Sequence, residues 1–237
     1  MSNEPNLSAV ASLLADPSRA MMLIALLDGR ALPAGELAYA SNVTAQTASS
    51  HLAKLLAGGL LTVETEGRHR YYRLAGSHVA EAIEHLATIR PNGPVRRKAL
   101  SPKARELRLA RCCYDHLAGQ AGVAVARGLQ DRGFIVRLPD KRFDVTAAGA
   151  AWFGGIGLDV AALTPGRHGV ARQYLDWTER THHLAGPLGA RLLSVFCSKG
   201  WLRRAKEPRA IRITPKGRAE LKRHLGVDEQ LLRAQEP

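Results

Sequence analysis

The sequence contains few cysteines and no long apolar segment. Three cysteines occur among 237 residues and two of them are adjacent, so this odd set is a poor framework for disulfides. There is no apolar run of about 18 residues, and no charged N-terminal segment followed by an apolar one, so we expect neither a membrane span nor a secretory signal. These absences favour a cytoplasmic protein in a reducing compartment.

Motifs that carry common enzymatic chemistry are also absent. We find no Walker phosphate loop, dinucleotide fingerprint, nucleophile elbow or HExxH zinc motif. Cys112, Asp115 and His116 do lie close together in the chain, but catalytic groups of these types are normally assembled from distant segments. The sequence therefore does not favour an enzyme.

Acidic residues are scarce in the second part of the chain. Residues 1–95 carry 7 Lys and Arg against 8 Asp and Glu, whereas residues 96–237 carry 27 against 13, so the whole net charge of +13 arises after residue 95. Such a basic excess is typical of nucleic-acid binding, although a solvated basic surface is the alternative. At about 100 to 200 residues per domain, the length favours two domains, which we place at 1–90 and 91–237.

The first domain begins with helices that are joined tightly. A helix is expected over 17–28, and a short helix from Ala34 to Ala40 follows it. Thr44 is placed to cap a third helix that ends at Gly58. Two helices separated only by a polar turn are typical of a helix-turn-helix motif.

The helix after Thr44 has two different faces. Ala48 and three leucines lie on one side and predict a core contact. The opposite face is small and polar, and its residues together with the capping threonine are the predicted DNA contacts: Thr44, Gln46, Thr47, Ser50 and Lys54. Gln, Ser, Thr and Lys side chains can hydrogen-bond base edges, so this helix is expected to lie in a major groove. His51, at the boundary, is either a phosphate contact or a packed residue.

Alternating residues in "LLTVETEG" and "RHRYYRL" predict a β-hairpin with its turn at Glu66-Gly67. Arg68, His69 and Arg70 lie at or beside its tip, where a wing contacts phosphates or the minor groove. A last helix over about 77–89 precedes "RPNGP", a predicted linker.

Taken in order, "DPSRAMMLIALLDG", "ELA", "TASSHLAKLLAGGLL" and "EGRHRYYRL" resemble segments of the arsenic-repressor (ArsR) family of winged-helix regulators. The resemblance covers about residues 7–90 and implies a homodimeric protein that binds double-stranded operator DNA, usually a repressor released by an effector. Many members carry Cys-x-Cys just before the "ELA" helix, where this chain reads "ALPAGELA". Its last helix offers His78, Glu81 and His85 without the aspartate and spacing of the other familiar metal site. The effector site is therefore expected elsewhere.

The second domain contains an internal repeat. The matching segments are "HLAGQAG" and "HLAGPLG", then "RGFIVR" and "KGWLRR", at an offset of 67, and "VTAAG" and "ITPKG" at an offset of 68. Each copy, about 112–157 and about 179–226, predicts a helix that begins at "HLAG", a hairpin, and a helix capped by Thr146 or Thr214. This resembles the back half of a winged helix, so the predicted fold is mainly α with small β-hairpin wings (α+β).

The segment "RCCYDHLAG" concentrates reactive side chains, and its role has several interpretations. A zinc-like or copper-like ion would be bound by Cys112, Cys113, Asp115 and His116, joined by His182 and His183 from the second copy. A redox switch would use the cysteines. An organic effector would contact Tyr114, Tyr174 and Trp177. Finally, "HLAG" can be simple helix-start packing, which leaves Cys112, Cys113 and Asp115 without counterparts in the second copy.

The linker region is strongly basic. Its cations, opposed by Glu106 alone, are Arg96, Arg97, Lys98, Lys103, Arg105, Arg108 and Arg111. On a long helix they would follow the DNA backbone beside the operator, whereas the alternative is a solvated helix or one paired with a partner subunit's acids. An architectural DNA-binding protein without an inducer is the alternative function.

Overall fold

A computed structural model of the chain describes residues 7–67, 69–89, 102–166, 169–205 and 209–228. The chain divides into two compact units, one within residues 1–87 and the other within residues 88–237. The first is a winged helix-turn-helix and the second consists of two helix and hairpin repeats. The predicted fold class, mainly α with small β-hairpin wings, is confirmed.

The N-terminal unit contains the predicted helices and hairpin. Its elements are α1 (Leu7–Leu14), α2 (Pro17–Ala25), β1 (Leu32–Pro33), α3 (Ala34–Ser41), α4 (Ala45–Ala57), β2 (Leu61–Glu66), β3 (His69–Leu74) and α5 (Ser77–Thr88). The Asp16 carboxylate accepts a hydrogen bond from the Arg19 backbone N–H at 2.9 Å and caps α2. The Thr44 hydroxyl likewise accepts from the Thr47 N–H at 3.2 Å, so the predicted cap of α4 is confirmed.

Three antiparallel strands in the order β1-β3-β2 form the wing sheet. The β2–β3 hairpin pairs Leu61 with Leu74 at its base and Glu66 with His69 at its tip, as the alternation predicted. Helices α2, α3 and α4 pack over apolar side chains that include Met22, Leu26, Leu37, Leu52 and Leu55, all fully buried. Strand β1 and helix α1 were not predicted.

No single helix among the described residues is long and apolar enough to cross a membrane. Only α1 and α2 taken together, across a bend of 87°, meet that criterion by length and composition.

The C-terminal unit begins with α6 (Pro102–Leu109) and continues with two copies of one motif. The first copy comprises β4 (Arg111–Cys113), β5 (His116–Ala118), α7 (Gly119–Asp131), β6 (Ile135–Arg137), β7 (Phe143–Val145) and α8 (Ala147–Gly155). The second comprises β8 (Arg172–Leu175), β9 (His182–Ala185), α9 (Gly186–Ser198), β10 (Leu202–Arg204), β11 (Ile211–Ile213) and α10 (Pro215–Leu225). Thr146 and Thr214 cap the closing helices as predicted.

The prediction that a helix begins at "HLAG" is wrong. His, Leu and Ala of each copy form the second strand of a hairpin, and the helix begins at the glycine that follows. Gly119 has φ 78° and Gly186 has φ 79°, a left-handed conformation that glycine adopts readily. The chain therefore turns sharply at these glycines, and the three preceding residues remain extended.

The predicted long basic helix is also corrected. Helix α6 ends at Leu109, and Arg111 lies in β4 with no exposed surface. Arg108 forms an ion pair of 3.0 Å with Glu179. Arg96, Arg97, Lys98 and the side chain of Lys103 lie outside the described residues.

The two copies begin earlier than the sequence comparison indicated. Strand register pairs Arg111 with Ala118 and Arg172 with Ala185, so the two arginines occupy equivalent positions. Counting from them, Cys112, Cys113 and Asp115 correspond to Gln173, Tyr174 and Asp176. The prediction that these three residues lack counterparts is therefore wrong, because a longer turn between Asp176 and His183 interrupts the match in the second copy.

The copies exchange the same contacts across a pseudo-twofold axis. The backbone N–H of Cys112 donates to the Arg209 carbonyl at 2.7 Å, and that of Gln173 donates to the Lys141 carbonyl at 2.7 Å. Helix α7 packs on β9, and α9 packs on β5. Each copy thus completes the fold of the other, and the core is shared between them.

Candidate functional site

The predicted DNA-reading face lies on α4. Gln46, Thr47, Ser50 and Lys54 are exposed, while Ala48, Leu52 and Leu55 on the opposite side are fully buried. The Thr44 hydroxyl lies 2.9 Å from that of Thr47. The helix is therefore anchored by one apolar side and presents uncharged hydrogen-bonding groups and one lysine on the other.

His51 is half-buried and lies beside the start of α2. Its Nε2 is 4.0 Å from a carboxylate oxygen of Asp16, and its Nδ1 is buried without a hydrogen-bond partner. This position agrees with a packed residue, the second of its two interpretations.

The wing presents basic side chains beside its tip. His69 and Arg70 are exposed at the start of β3, and the Arg70 guanidinium lies 5.8 Å from the centre of the Tyr72 ring. Arg68 lies outside the described residues.

Cys113, His116 and His183 form a buried cluster in the C-terminal unit. One ligand atom from each, the cysteine Sγ and a nitrogen of each imidazole, lie within 4.8 Å of one another. Cys113 and His116 are direct cross-strand partners at the end of the β4–β5 hairpin. His183 comes from β9 of the second copy, so the pseudo-twofold arrangement brings the two histidines together.

The imidazoles of His116 and His183 face each other closely. Their Nε2 atoms are 3.0 Å apart, and the rings stack with centroids 5.1 Å apart and an interplanar angle of 28°. Tyr174 lies edge-on to both rings at 5.9 Å. Gly122 and Gly189 let α7 and α9 lie close to the strands before them, because a Cβ there would lie 2.4 Å from the Leu117 carbonyl oxygen and 2.6 Å from the Leu184 carbonyl oxygen.

A carboxylate lies behind each imidazole. His116 Nδ1 is 2.9 Å from Asp115 Oδ1, and His183 Nδ1 is 3.6 Å from Asp176 Oδ2. Asp115 and Asp176 are equivalent in the two copies, so each copy supplies one carboxylate and one imidazole. Asp115 is half exposed, with 50% of its side chain accessible, whereas Asp176 is fully buried.

Asp176 is the centre of a buried polar network. Its Oδ1 accepts from Arg111 Nη2 at 2.8 Å and from the Thr178 hydroxyl at 2.7 Å, and its Oδ2 accepts from the Gly119 N–H at 2.7 Å. Trp177 covers the Arg111 guanidinium at 4.8 Å from the ring centre, a cation–π contact. Burial alone would raise the pKa of Asp176, but Arg111, His183 and these hydrogen bonds lower it well below its usual range.

The surroundings of His183 favour the neutral form of its imidazole. Burial and then repulsion from His116 lower its pKa well below the ordinary value, although the Asp176 carboxylate acts in the opposite direction. A neutral imidazole keeps a lone pair, which is the form that binds metal ions.

The remaining candidates lie outside the cluster. The Cys112 side chain points into the apolar core, where its thiol donates to the Tyr114 carbonyl at 3.5 Å. His182 lies on the opposite face of β9, and burial and the charges of Arg137 and Lys141 lower its pKa. Tyr114 occupies the β4–β5 turn with φ 55°. Of the proposed metal ligands, the structure therefore gathers Cys113, His116 and His183, and it places Asp115 behind one of them.

The structure does not group the three aromatic residues around a ligand pocket. Tyr174 contacts the imidazoles, Trp177 covers Arg111, and Tyr114 lies in a turn. An apolar cavity between the copies, lined by Leu117, Gly122, Val125, Leu184 and Gly189 among others, has a volume of about 10 Å³. That volume holds about one water molecule, not an organic effector.

Sequence reasoning missed Arg111 and Asp176 as partners. The signal was present in the chain, because "RCCYD" and "RQYLD" both place aspartate four residues after arginine. A search at one constant offset does not detect this match, since the inserted residues of the second turn separate "RQYLD" from "HLAG".

Comparison with known proteins agrees with the winged-helix architecture. Residues 14–64 match the family described as a helix-turn-helix domain. The chain is 46% identical over 223 residues to the uncharacterized HTH-type transcriptional regulator YdfF of Bacillus subtilis, covering 94% of this chain and 98% of that protein. It is 41% identical over 86 residues to the regulator CmtR of Mycobacterium tuberculosis, covering 36% and 72%.

A solved structure of similar sequence is the NMR structure of the cadmium metal-sensor CMTR from Mycobacterium tuberculosis. It is 34% identical and matches 40% of this chain and 99% of that one, with a TM-score of 0.32. On the near full-length likeness to YdfF, together with the helix-turn-helix match, the chain belongs to the HTH-type transcriptional regulators, in agreement with the resemblance of its N-terminal segments to the ArsR family. It is accordingly a DNA-binding regulator and not an enzyme.

Proposed function

We propose that the protein is a homodimeric repressor that binds a palindromic operator through α4 and the wing, and that an effector bound in the C-terminal unit releases it. The observation that carries this proposal is the exposed polar face of α4 opposite a fully buried apolar side. A merely solvated helix face more often carries paired Glu and Lys, whereas Gln, Thr, Ser and Lys suit base edges and phosphates.

Exposed apolar side chains of the N-terminal unit support the homodimer. Helix α1 has no buried residue, and Leu7 is 76% exposed on it, while Leu86 of α5 is 49% exposed. Exposed large apolar side chains on these helices offer surface that a partner subunit would bury. A second copy is the occupant that a palindromic operator requires, because each half-site binds one recognition helix.

The C-terminal cluster supports effector binding in that unit. Buried polar groups carry a desolvation cost, and here imidazoles, carboxylates and a thiol meet at the junction of the two copies. A ligand bound at this junction would contact both copies at once and could change how they pack. This cluster is the proposed effector site, with Cys113, His116 and His183 as its inner residues.

The DNA-reading role is tested with Gln46→Ala and Ser50→Ala combined, using footprinting and competition against non-operator DNA. A good side-chain contact to a base contributes about 1–3 kcal/mol of discrimination, so preference for the operator should fall at least about tenfold while nonspecific binding remains. Ser49→Ala is the matched control, because the Ser49 hydroxyl already donates to the Ala45 carbonyl at 3.0 Å. Unchanged preference in the double variant would show that α4 does not read the operator.

Footprinting also separates this proposal from an architectural role. A repressor protects a discrete palindromic segment, whereas a protein that coats DNA protects it uniformly. Uniform protection at every concentration would replace the first proposal by the second.

A further inference from the structure

We propose that Cys113, His116 and His183 bind a thiophilic metal ion of the zinc class at the junction of the two C-terminal copies. The identity of this ion as the effector rests on the function proposed above, whereas the binding site itself does not. The site differs in position from the segments before the "ELA" helix and on α5, because all three ligands lie in the second unit.

The distances suit a small cation after slight movement. In a tetrahedral zinc site with Zn–N bonds of about 2.0–2.1 Å, neighbouring nitrogen ligands are separated by about 3.3 Å. The two Nε2 atoms are 3.0 Å apart here, and all three ligand atoms lie within 4.8 Å of one another. Small rotations of the side chains therefore bring the three donors to a common centre.

The proton positions on two neutral imidazoles add a second argument for a cation to the gathered donor geometry. With a carboxylate 2.9 Å from His116 Nδ1, the proton of this imidazole belongs on Nδ1, which leaves a lone pair on Nε2. With both imidazoles neutral and no ion present, His183 donates from Nε2 to His116, and its bare Nδ1 faces the Asp176 carboxylate at 3.6 Å. A lone pair directed at a buried carboxylate is unfavourable, and His183 Nδ1 has no hydrogen-bond partner in this arrangement.

A cation between the imidazoles removes this conflict. Both rings then carry the proton on Nδ1, where each faces a carboxylate, and both Nε2 lone pairs point at the ion. This is the arrangement of outer carboxylates that orients histidine ligands in known metal sites. The two copies supply it symmetrically, with Asp115 behind His116 and Asp176 behind His183.

The donor set indicates which ion binds. One thiolate and two imidazoles favour zinc and its thiophilic relatives over magnesium or calcium, which prefer oxygen ligands. The position equivalent to Cys113 in the second copy is Tyr174, so the symmetry does not bring a second thiolate. Three protein ligands leave one tetrahedral position for water or another exogenous ligand.

Metal binding is tested on the full-length, reduced protein after removal of metals with a chelator. The probes are Co²⁺, whose thiolate-to-metal charge-transfer absorption reports sulfur ligation, and Zn²⁺ as its competitor. We expect one Co²⁺ per chain, a charge-transfer band, and displacement by one equivalent of Zn²⁺. Absence of stoichiometric binding by both ions would overturn the proposal.

Variants identify the ligands. Cys113→Ser should abolish the charge-transfer band, and His183→Gln should weaken Co²⁺ binding at least about tenfold. Asp115→Asn, which alters only an outer contact, should weaken it by about 10- to 100-fold. The matched controls are Cys197→Ser and His182→Gln, which lie outside the cluster and should bind as the parent protein does. A band that persists in Cys113→Ser, or that disappears in Cys197→Ser, would contradict the ligand assignment.

Two further measurements separate loss of metal binding from loss of folding, and the metal site from its role as effector site. Circular dichroism of each metal-free variant shows that it folds, and Asp115→Asn, at a half-exposed position, provides a second route if a buried ligand variant does not. Operator affinity with and without Zn²⁺ then separates the two proposals. Binding of Zn²⁺ without any change in operator affinity would overturn the effector role and leave the site, whereas operator binding without metal binding would overturn the site and leave the regulator.

Discussion

The two units of this protein place their functional groups in opposite ways. In the N-terminal unit the polar residues assigned to DNA are exposed, and the apolar side of α4 is buried beneath them. In the C-terminal unit the reactive groups are themselves buried, with Cys113 only 2% and His183 only 1% exposed. A DNA-contacting surface can be formed by one amphipathic helix, whose two faces follow from its own sequence. The buried polar cluster, in contrast, forms only when the two copies pack against each other.

The two copies of the C-terminal motif add a second comparison. Their backbones exchange equivalent hydrogen bonds, yet the shorter hairpin carries Cys113 and the longer one carries Tyr174 at the same position. Symmetry of the fold brings the two histidines together, and the difference between the copies makes the donor set unequal. The repeated fold therefore supplies the geometry of the cluster, and the residues that differ between the copies supply its single thiol.

The largest effect is expected from Asp176→Asn, which removes the charge opposite the buried Arg111. Breaking a buried ion pair leaves an uncompensated charge and costs about 3–5 kcal/mol. We expect the C-terminal unit to lose stability by this amount in chemical denaturation, while hydrogen exchange in α4 stays unchanged. Asp140→Asn is the control, because Asp140 pairs with Arg142 where both side chains are about half exposed. Equal losses of stability in the two variants would show that the loss in Asp176→Asn does not come from the burial of its ion pair.

A smaller effect is expected from Gly122→Ala, where α7 lies close to β5 of the same copy. A Cβ at this position would lie 2.4 Å from the Leu117 carbonyl oxygen. Overpacking of this kind lowers the free energy of unfolding by about 1–3 kcal/mol. Gly154→Ala, in α8 with no atom within 4 Å of the added Cβ, should instead be neutral or stabilising by up to about 1 kcal/mol. Thermal unfolding of both variants measures the difference, and destabilisation by Gly154→Ala alone would refute the packing argument.

Thr44→Ala should destabilise the N-terminal unit by about 1 kcal/mol, because it removes the cap of α4. The substitution does not touch the C-terminal copies, so denaturation followed by hydrogen exchange should locate the loss in the first unit. The matched test in the other unit is Thr214→Ala, whose hydroxyl accepts from the Gly217 N–H at 2.9 Å. If neither loss is confined to its own unit, the two units do not unfold independently.

The smallest effect is expected from Arg70→Ala in the wing. An exposed arginine that contacts a phosphate adds affinity without sequence preference, so its removal should weaken binding to operator and non-operator DNA alike. The slope of log affinity against log salt should fall by about one. Filter binding over a range of salt measures this slope. A loss of affinity for the operator alone would instead show that Arg70 reads bases. The wing would then share the role proposed for α4.

Local patterns in the sequence determined the N-terminal unit and the hairpins that follow α7 and α9. Caps such as Thr44, Thr146 and Thr214 act on backbone groups within their own turn, and the alternation around Glu66-Gly67 reflects pairing of adjacent segments, so both are visible without a tertiary structure. The family resemblance rests on the same segments.

Only the tertiary structure decided the nature of the candidate site. "HLAG" is extended and not helical because Gly119 and Gly186 turn the chain and each strand pairs with the one before it. Cys113 was separated from Cys112 by the alternation of a β-strand, which places one thiol at the histidines and the other in the core. The approach of His116 to His183 and the pairing of Arg111 with Asp176 join residues more than sixty positions apart, and such contacts depend on how the two copies pack, which no local pattern encodes.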